Sequence, residues 1–296
     1  MRKLCLGFSF AVMILLVACG SESGTEVSSE LPPGFSKPSS ERSSSDGGSD
    51  NSGESSASGN KVSSASEGGE SADNDASIYD PDENTLTDLR DGQVYKTVNI
   101  GNQTWMAENL NYRYLGHTTR LDSSSFCYDD DPAYCDTYGR LYLWSAAMDS
   151  TGIIRGNTAN GCGYNSECAP SGTVRGVCPK GWHLPSRAEW ATLIVAVDGS
   201  IVEYDLENTA GFKLRSSSGW YSHGNGTDVF GFSALPAGLR YINGDYTNKD
   251  KFAYFWSSSE NSSSLAYNLF LDYTLDEACL NDHGKSLGFP VRCLKD

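Results

Sequence analysis

The chain has 296 residues, 38% of them hydrophobic and 20% charged, with a formal net charge of −16. This length allows one or two domains, and the low hydrophobic share implies that part of the chain does not fold. Thirty-eight acidic residues against 22 basic ones argue against a nucleic-acid partner and against electrostatic docking on an anionic membrane surface.

In chain order, the first segment reads as an address. Arg2 and Lys3 precede an apolar run from Leu4 to Val17, too short and too N-terminal for a membrane-spanning helix but the right length for a signal peptide. The run closes on Leu16-Val17-Ala18-Cys19, which resembles the bacterial lipobox. That resemblance implies a signal peptide over residues 1–18, cleavage before Cys19, and acyl chains, palmitate among them, on the Cys19 thiol and amine. The alternative is an ordinary secretory signal with an incidental cysteine. Each buried CH₂ contributes about 0.8 kcal/mol, so several chains anchor firmly. Gly20 follows the cysteine where an aspartate would favour inner-membrane retention, so the expected destination is the outer membrane, facing the periplasm or the cell surface.

Residues 19–87 form the expected tether, dominated through Ser77 by Ser, Gly and Glu with Phe35 as the sole aromatic of that stretch. Such a stretch cannot bury enough apolar surface to offset backbone entropy and is expected to be disordered. A flexible chain of about 60 residues has an r.m.s. span of roughly 45 Å, enough to hold a domain clear of the lipid.

Residues 88–296 are expected to fold as one α+β domain with short strands and long loops. All six tryptophans and seven of the nine cysteines lie there. Val94–Ile100 alternates, turns at Gly101-Asn102 and returns through Thr104-Trp105-Met106, which predicts a hairpin. Gly139–Met148 fits a strand or the start of a helix. The stretch from Asn157 to Cys178 predicts a long Gly/Asn loop. Ser186 with Glu189 three residues on forms a capping box, and Trp190, Leu193, Ile194 and Val197 then share one helical face. Phe289–Leu294 predicts a closing strand.

Nine cysteines suit an oxidising compartment. Within the domain, Cys127–Cys135 and Cys162–Cys168 are the expected local staples. Cys178–Cys293 is the expected long-range bridge, tying the segment before the helix to the last strand. Seven is odd, so one thiol is left over. Cys279 is that residue, either as a buried inert thiol, as a partner-pairing cysteine, or as an alternative mate for Cys293.

The segments Ile100-Gly101-Asn102-Gln103-Thr104-Trp105-Met106-Ala107-Glu108-Asn109-Leu110, Tyr138-Gly139-Arg140-Leu141-Tyr142, Cys178-Pro179-Lys180-Gly181-Trp182-His183-Leu184-Pro185, Gly231–Gly238, Phe255-Trp256-Ser257-Ser258 and Val291-Arg292-Cys293 together resemble the Fibrobacter succinogenes major paralogous domain. The resemblance spans residues 88–296. It implies a fold related to C-type lectins and brings no activity with it. Cys279 is not an expected family position. His183–Trp190 also looks like the Leu-Pro-x-x-x-Glu-Trp helix start of formylglycine-generating enzymes, whose copper chemistry needs two reduced cysteines. Here the one available pair is Cys279 with Cys293.

Chemistry is otherwise sparse. No metal-hydrolase helix motif, Gly-rich phosphate loop or nucleophile elbow appears. The histidines, His117, His183, His223 and His283, lack metal-ligand spacing, and His183 beside Trp182 reads as a partly buried structural residue. Asp129, Asp130 and Asp131, with Asp136 and either Glu260 or Asn261, offer the oxygens calcium prefers, but a solvated acidic loop is the simpler reading. Tyr221, Tyr241, Tyr246 and Tyr254 sit among Gly, Ser and Asn where sugar-stacking loops could form. The expectation is a lipid-anchored cell-envelope binding module for carbohydrate or another surface polymer, with no catalytic residues, metal or cofactor. The rivals are a structural envelope protein and a formylglycine-type oxidase.

Overall fold

A computed structural model describes residues 76–116, 123–170, 172–198 and 208–296. The described residues are mostly β-sheet with few helices, richer in strand than an even α+β reading. Cys19, the expected lipidation site, and His117 lie outside them.

Strands β1 (Ser77–Asp80), β2 (Thr85–Asp88), β3 (Gln93–Ile100) and β4 (Gln103–Met106) form an antiparallel meander, followed by β5 (Leu115–Gly116) and β6 (Ser123–Phe126). Helix α1 (Pro132–Tyr138), β7 (Leu141–Leu143) and α2 (Trp144–Ala147) come next, then β8 (Trp182–His183), α3 (Arg187–Asp198) and α4 (Ala210–Leu214). The remaining strands are β9 (Leu239–Arg240), β10 (Tyr246–Thr247), β11 (Phe252–Glu260), β12 (Leu265–Asp272), β13 (Ala278–Gly284), β14 (Gly288–Phe289) and β15 (Leu294–Lys295). They build three sheets, ordered β1-β2-β3-β4-β15-β8, β10-β9-β14-β7-β6-β5 and β11-β12-β13.

Two boundaries differ from the sequence reading. β1 and β2 fall inside the stretch 19–87 assigned to the tether, so Ser77–Asp88 carries paired strands. These strands are short and polar, but Leu86 is fully buried and Tyr79 packs edge-on against Trp182, with ring centroids 5.8 Å apart. Pairing to β3 supplies what local hydrophobicity did not. The ambiguous stretch at 139–148 is both elements in succession, β7 and then α2.

The hairpin turns where expected, with Gly101 at φ 60°, a left-handed conformation that glycine adopts without Cβ strain. α3 begins with its capping box closed. The Ser186 amide and hydroxyl donate to Glu189 Oε2 at 2.7 and 2.8 Å, and the Glu189 amide donates to Ser186 Oγ at 3.3 Å. Trp190, Leu193, Ile194 and Val197 are its buried face. Trp190 stacks on Trp105 of β4 at 4.5 Å, which locks the helix to the hairpin.

All six tryptophans are buried, and the indole N–H groups of Trp105, Trp144, Trp190, Trp220 and Trp256 donate to protein oxygens. Trp144 donates to Ser257 O at 2.8 Å, Trp256 to Tyr142 O at 2.8 Å, and Trp190 to Trp256 O at 3.3 Å. A large apolar side chain fully buried contributes about 1.5–3 kcal/mol, so this aromatic layer is a principal source of stability.

Disulfides join Cys127 to Cys135, Cys162 to Cys168 and Cys178 to Cys293, the three pairs named from the sequence. Cys279 belongs to none of these three pairs and is disulfide-bonded as well, so it is not the inert thiol weighed for it. β15 slots between β4 and β8, with Leu294 opposite both Trp105 and His183. The end of the chain is thereby carried to the start of α3.

Candidate functional site

The β8–α3 junction and the chain's last residues meet around one imidazole. His183 is buried on β8, with its Nδ1 2.7 Å from Asp296 Oδ1 and its Nε2 3.0 Å from Glu189 Oε1. Burial alone would lower the pKa of the ring, but hydrogen bonds to Glu189 and Asp296 outweigh it and hold the pKa above the ordinary histidine value. Glu189 moves the opposite way. Burial pushes its pKa up, and the contacts from His183 and Ser186 more than reverse that, leaving it below the usual carboxylate range. Glu189 thus caps the helix with one oxygen and holds the histidine with the other.

An open cleft of 880 Å³ lies over this trio. The β3–β4 turn supplies one wall with Asn102, Gln103 and Thr104. The long loop supplies another through Arg155, Thr173 and Arg175. Lys180 and Lys295 complete the charged lining, and Thr192 projects from α3. The loop is held by its own polar contacts. Arg175 donates to Cys178 O and Arg155 O, both at 3.1 Å, and Asn157 donates to Met148 O at 2.6 Å. Gln103 Nε2 reaches Glu189 O at 3.2 Å, joining the turn to the helix.

Chemically, the cleft presents donors and acceptors for hydroxyl, amide and charged groups. Both ring nitrogens of His183 face carboxylates, and the Ser186 hydroxyl donates to Glu189. Among the described residues, no group of three or more His, Cys, Asp and Glu side chains could hold a metal ion.

The other residues singled out in the sequence do not converge on one place. Asp131 accepts from the Ala133 amide as the cap of α1, and Asp130 accepts from the Tyr246 hydroxyl at 2.6 Å. Glu260 is engaged elsewhere, by Lys285 Nζ at 2.6 Å and the Cys168 amide at 2.8 Å. Asn261 donates to Asp282. The acidic loop and Glu260 therefore serve separate local structures. Tyr254 is buried and stacks on Phe289 at 4.6 Å, making it a core residue rather than a sugar platform. Tyr221 and Tyr241 are exposed, Tyr221 packing edge-on against Tyr273. Cys293 is bonded to Cys178 and Cys279 is oxidised too, so neither member of the pair weighed for copper is a free thiolate.

The sequence reading placed His183 as structural and did not foresee Asp296, Arg155, Arg175, Lys180 or Lys295 beside it. One signal was present. The Cys178–Cys293 bridge lies five residues before His183 and three before Asp296, and so ties the two segments together.

A family model described as the Fibrobacter succinogenes major domain matches residues 98–295. No curated protein and no solved structure matches the chain.

Proposed function

The chain belongs to the Fibrobacter succinogenes major domain family, and from that premise we propose that it is a lipid-anchored cell-envelope module that binds carbohydrate or another surface polymer and performs no catalysis. The cleft over His183, Glu189 and Asp296 carries this reading. It is open and about 880 Å³ in volume, within the usual range for ligand sites of about 300–1,000 Å³, and most of its lining residues carry hydrogen-bonding side chains. Sugar hydroxyls both donate and accept, and such a lining answers both.

Anchoring through acylated Cys19 in the outer membrane, with the domain on a tether, is part of the proposal. The basic start, apolar run and Leu16-Val17-Ala18-Cys19 close support it. A C-type-lectin-like arrangement is part of it also, supported by long disulfide-tied loops and by a last strand paired beside the early hairpin. The bridge from Cys293 to Cys178 removes one of the two thiols that the copper-oxidase alternative needs.

The test is retention of the detergent-solubilised full chain on a panel of insoluble and soluble polysaccharides, with calcium and then with chelator. Saturable retention on at least one glycan is expected. No retention on any, from protein shown to be folded, would return the assignment to a structural envelope protein.

A further inference from the structure

We propose that the cleft selects anionic saccharide chains, bearing carboxylate or sulfate groups, over neutral ones, an inference that rests on the binding reading above. Its lining carries four cations, Arg155, Arg175, Lys180 and Lys295, against two carboxylates, Glu189 and Asp296. Four minus two leaves an excess of two positive charges before His183 is counted. The two carboxylates are also turned inward on His183, at 3.0 and 2.7 Å. A ligand entering from solvent meets Arg155 and Lys295, while the two carboxylates are already engaged with His183.

This local sign opposes that of the chain, whose net charge is −16. An acidic protein that gathers four cations around one cleft creates a place where an anion is favoured, because charge inside a concave, partly desolvated site acts at a lower effective dielectric than on an open face. Arg155 and Lys180 are exposed at the rim, and neither Arg155 nor Lys295 has a carboxylate within ion-pair distance among the described residues.

The lining also lacks what a neutral sugar face needs. Among the described residues no Trp, Tyr or Phe lines the cleft, so they offer no flat apolar platform of the kind that recognises pyranose faces. Asn102, Gln103, Thr104, Thr173 and Thr192 remain to bond hydroxyls once the charged group is seated. The open shape suits a segment of a chain rather than a fully enclosed small ion.

The experiment compares retardation of the full chain, in detergent, by polygalacturonate and by a neutral galactan, with inorganic phosphate as competitor. Polygalacturonate is expected to retard it, with affinity falling roughly tenfold or more from low to high salt as the Debye length shortens. The neutral polymer is expected to bind weakly and without salt dependence, and millimolar phosphate not to displace the polymer. Arg155→Glu combined with Lys180→Glu, both exposed, should abolish polygalacturonate binding while the thermal midpoint stays put. Equal binding of neutral galactan, unchanged in that double variant, would overturn the anionic preference and leave the binding module standing. Displacement of the polymer by phosphate at the same concentration would overturn the saccharide assignment in favour of a simple anion site. Retention of neither polymer would overturn the preference, and the wider polysaccharide panel would then decide the binding reading itself.

Discussion

Nδ1 of His183 lies 2.7 Å from Oδ1 of Asp296, a contact between residues 113 apart that fixes the end of the chain to the start of α3. Its pH dependence follows from the shifts at this trio. His183 is held above its ordinary value of 6.5, so its stabilisation is complete below that value and is lost as pH rises through the folded-state pKa. Glu189 is held below 4.5, so its share is complete above that value and is lost as pH falls through its own folded-state pKa. The contact therefore contributes most between pH 4.5 and 6.5 and weakens on the alkaline side. Urea midpoints recorded against pH should decline above neutrality, and His183→Gln should flatten that decline. An equal alkaline decline in the variant would assign it to another group.

Arg292 makes an unusual demand on the core. Its side chain is fully buried and bonds carbonyl oxygens rather than carboxylates, at 2.8 Å to Asn109 Oδ1, 2.7 Å to Ser233 O, and to Phe232 O as well. The guanidinium sits 4.5 Å from the Phe232 ring centroid, and burial lowers its pKa to about 9. Arg292→Met orphans three acceptors, each costing about 1–3 kcal/mol, partly offset by removal of a buried charge. Arg292→Lys keeps the charge but cannot fork to three separated oxygens. The lysine variant is therefore expected to be no more stable than the methionine variant in chemical denaturation. Recovery of wild-type stability by lysine would show that charge, not geometry, is what the site requires.

The bridges differ in what they close. Cys178–Cys293 spans 115 residues and Cys127–Cys135 spans eight. Loop-closure entropy gives about 4.8 kcal/mol for the first and about 2.5 kcal/mol for the second. Cys178→Ser with Cys293→Ser should thus lower the thermal midpoint by clearly more than Cys127→Ser with Cys135→Ser. It should also loosen β15, seen as faster amide exchange at Leu294. Equal losses would mean that the denatured chain is already restrained near the long bridge.

How legible all this was depends on the range of each interaction. The α3 capping box is written in four consecutive residues, Ser186 to Glu189, and the 93–106 hairpin in alternation around Gly101, so both could be read locally. The three bridges were readable because cysteine offers few partners. β1 and β2 were not, because Ser77–Asp80 and Thr85–Asp88 carry little hydrophobicity and are held by pairing, β1 onto β2 and β2 onto β3. Arg292 entered only as part of the Val291-Arg292-Cys293 motif, and nothing in its neighbours announces that Phe232, Ser233 and Asn109 converge on it. The cleft was hidden for the same reason. Its cations come from two loops and the final strand, and only the folded register of Leu294 with His183 brings them together.

Glu189 offers the sharpest separation of fold from site, because one carboxylate does two jobs. Oε2 receives the Ser186 amide and hydroxyl, and Oε1 meets His183. Glu189→Gln keeps an acceptor for the Ser186 amide, so the helix start survives at a cost of a few tenths to about 1 kcal/mol. It removes the negative charge, however, so the His183 pKa should fall toward its ordinary value. Glu189→Ala removes both roles and should cost about 2–3 kcal/mol, summing a lost cap and a buried imidazole with one nitrogen unpartnered. Titrating the His183 ring by NMR in the wild type and the glutamine variant checks the first effect, and denaturation of both variants checks the second. A His183 pKa unchanged by Glu189→Gln would mean that Asp296 alone sustains the charged ring.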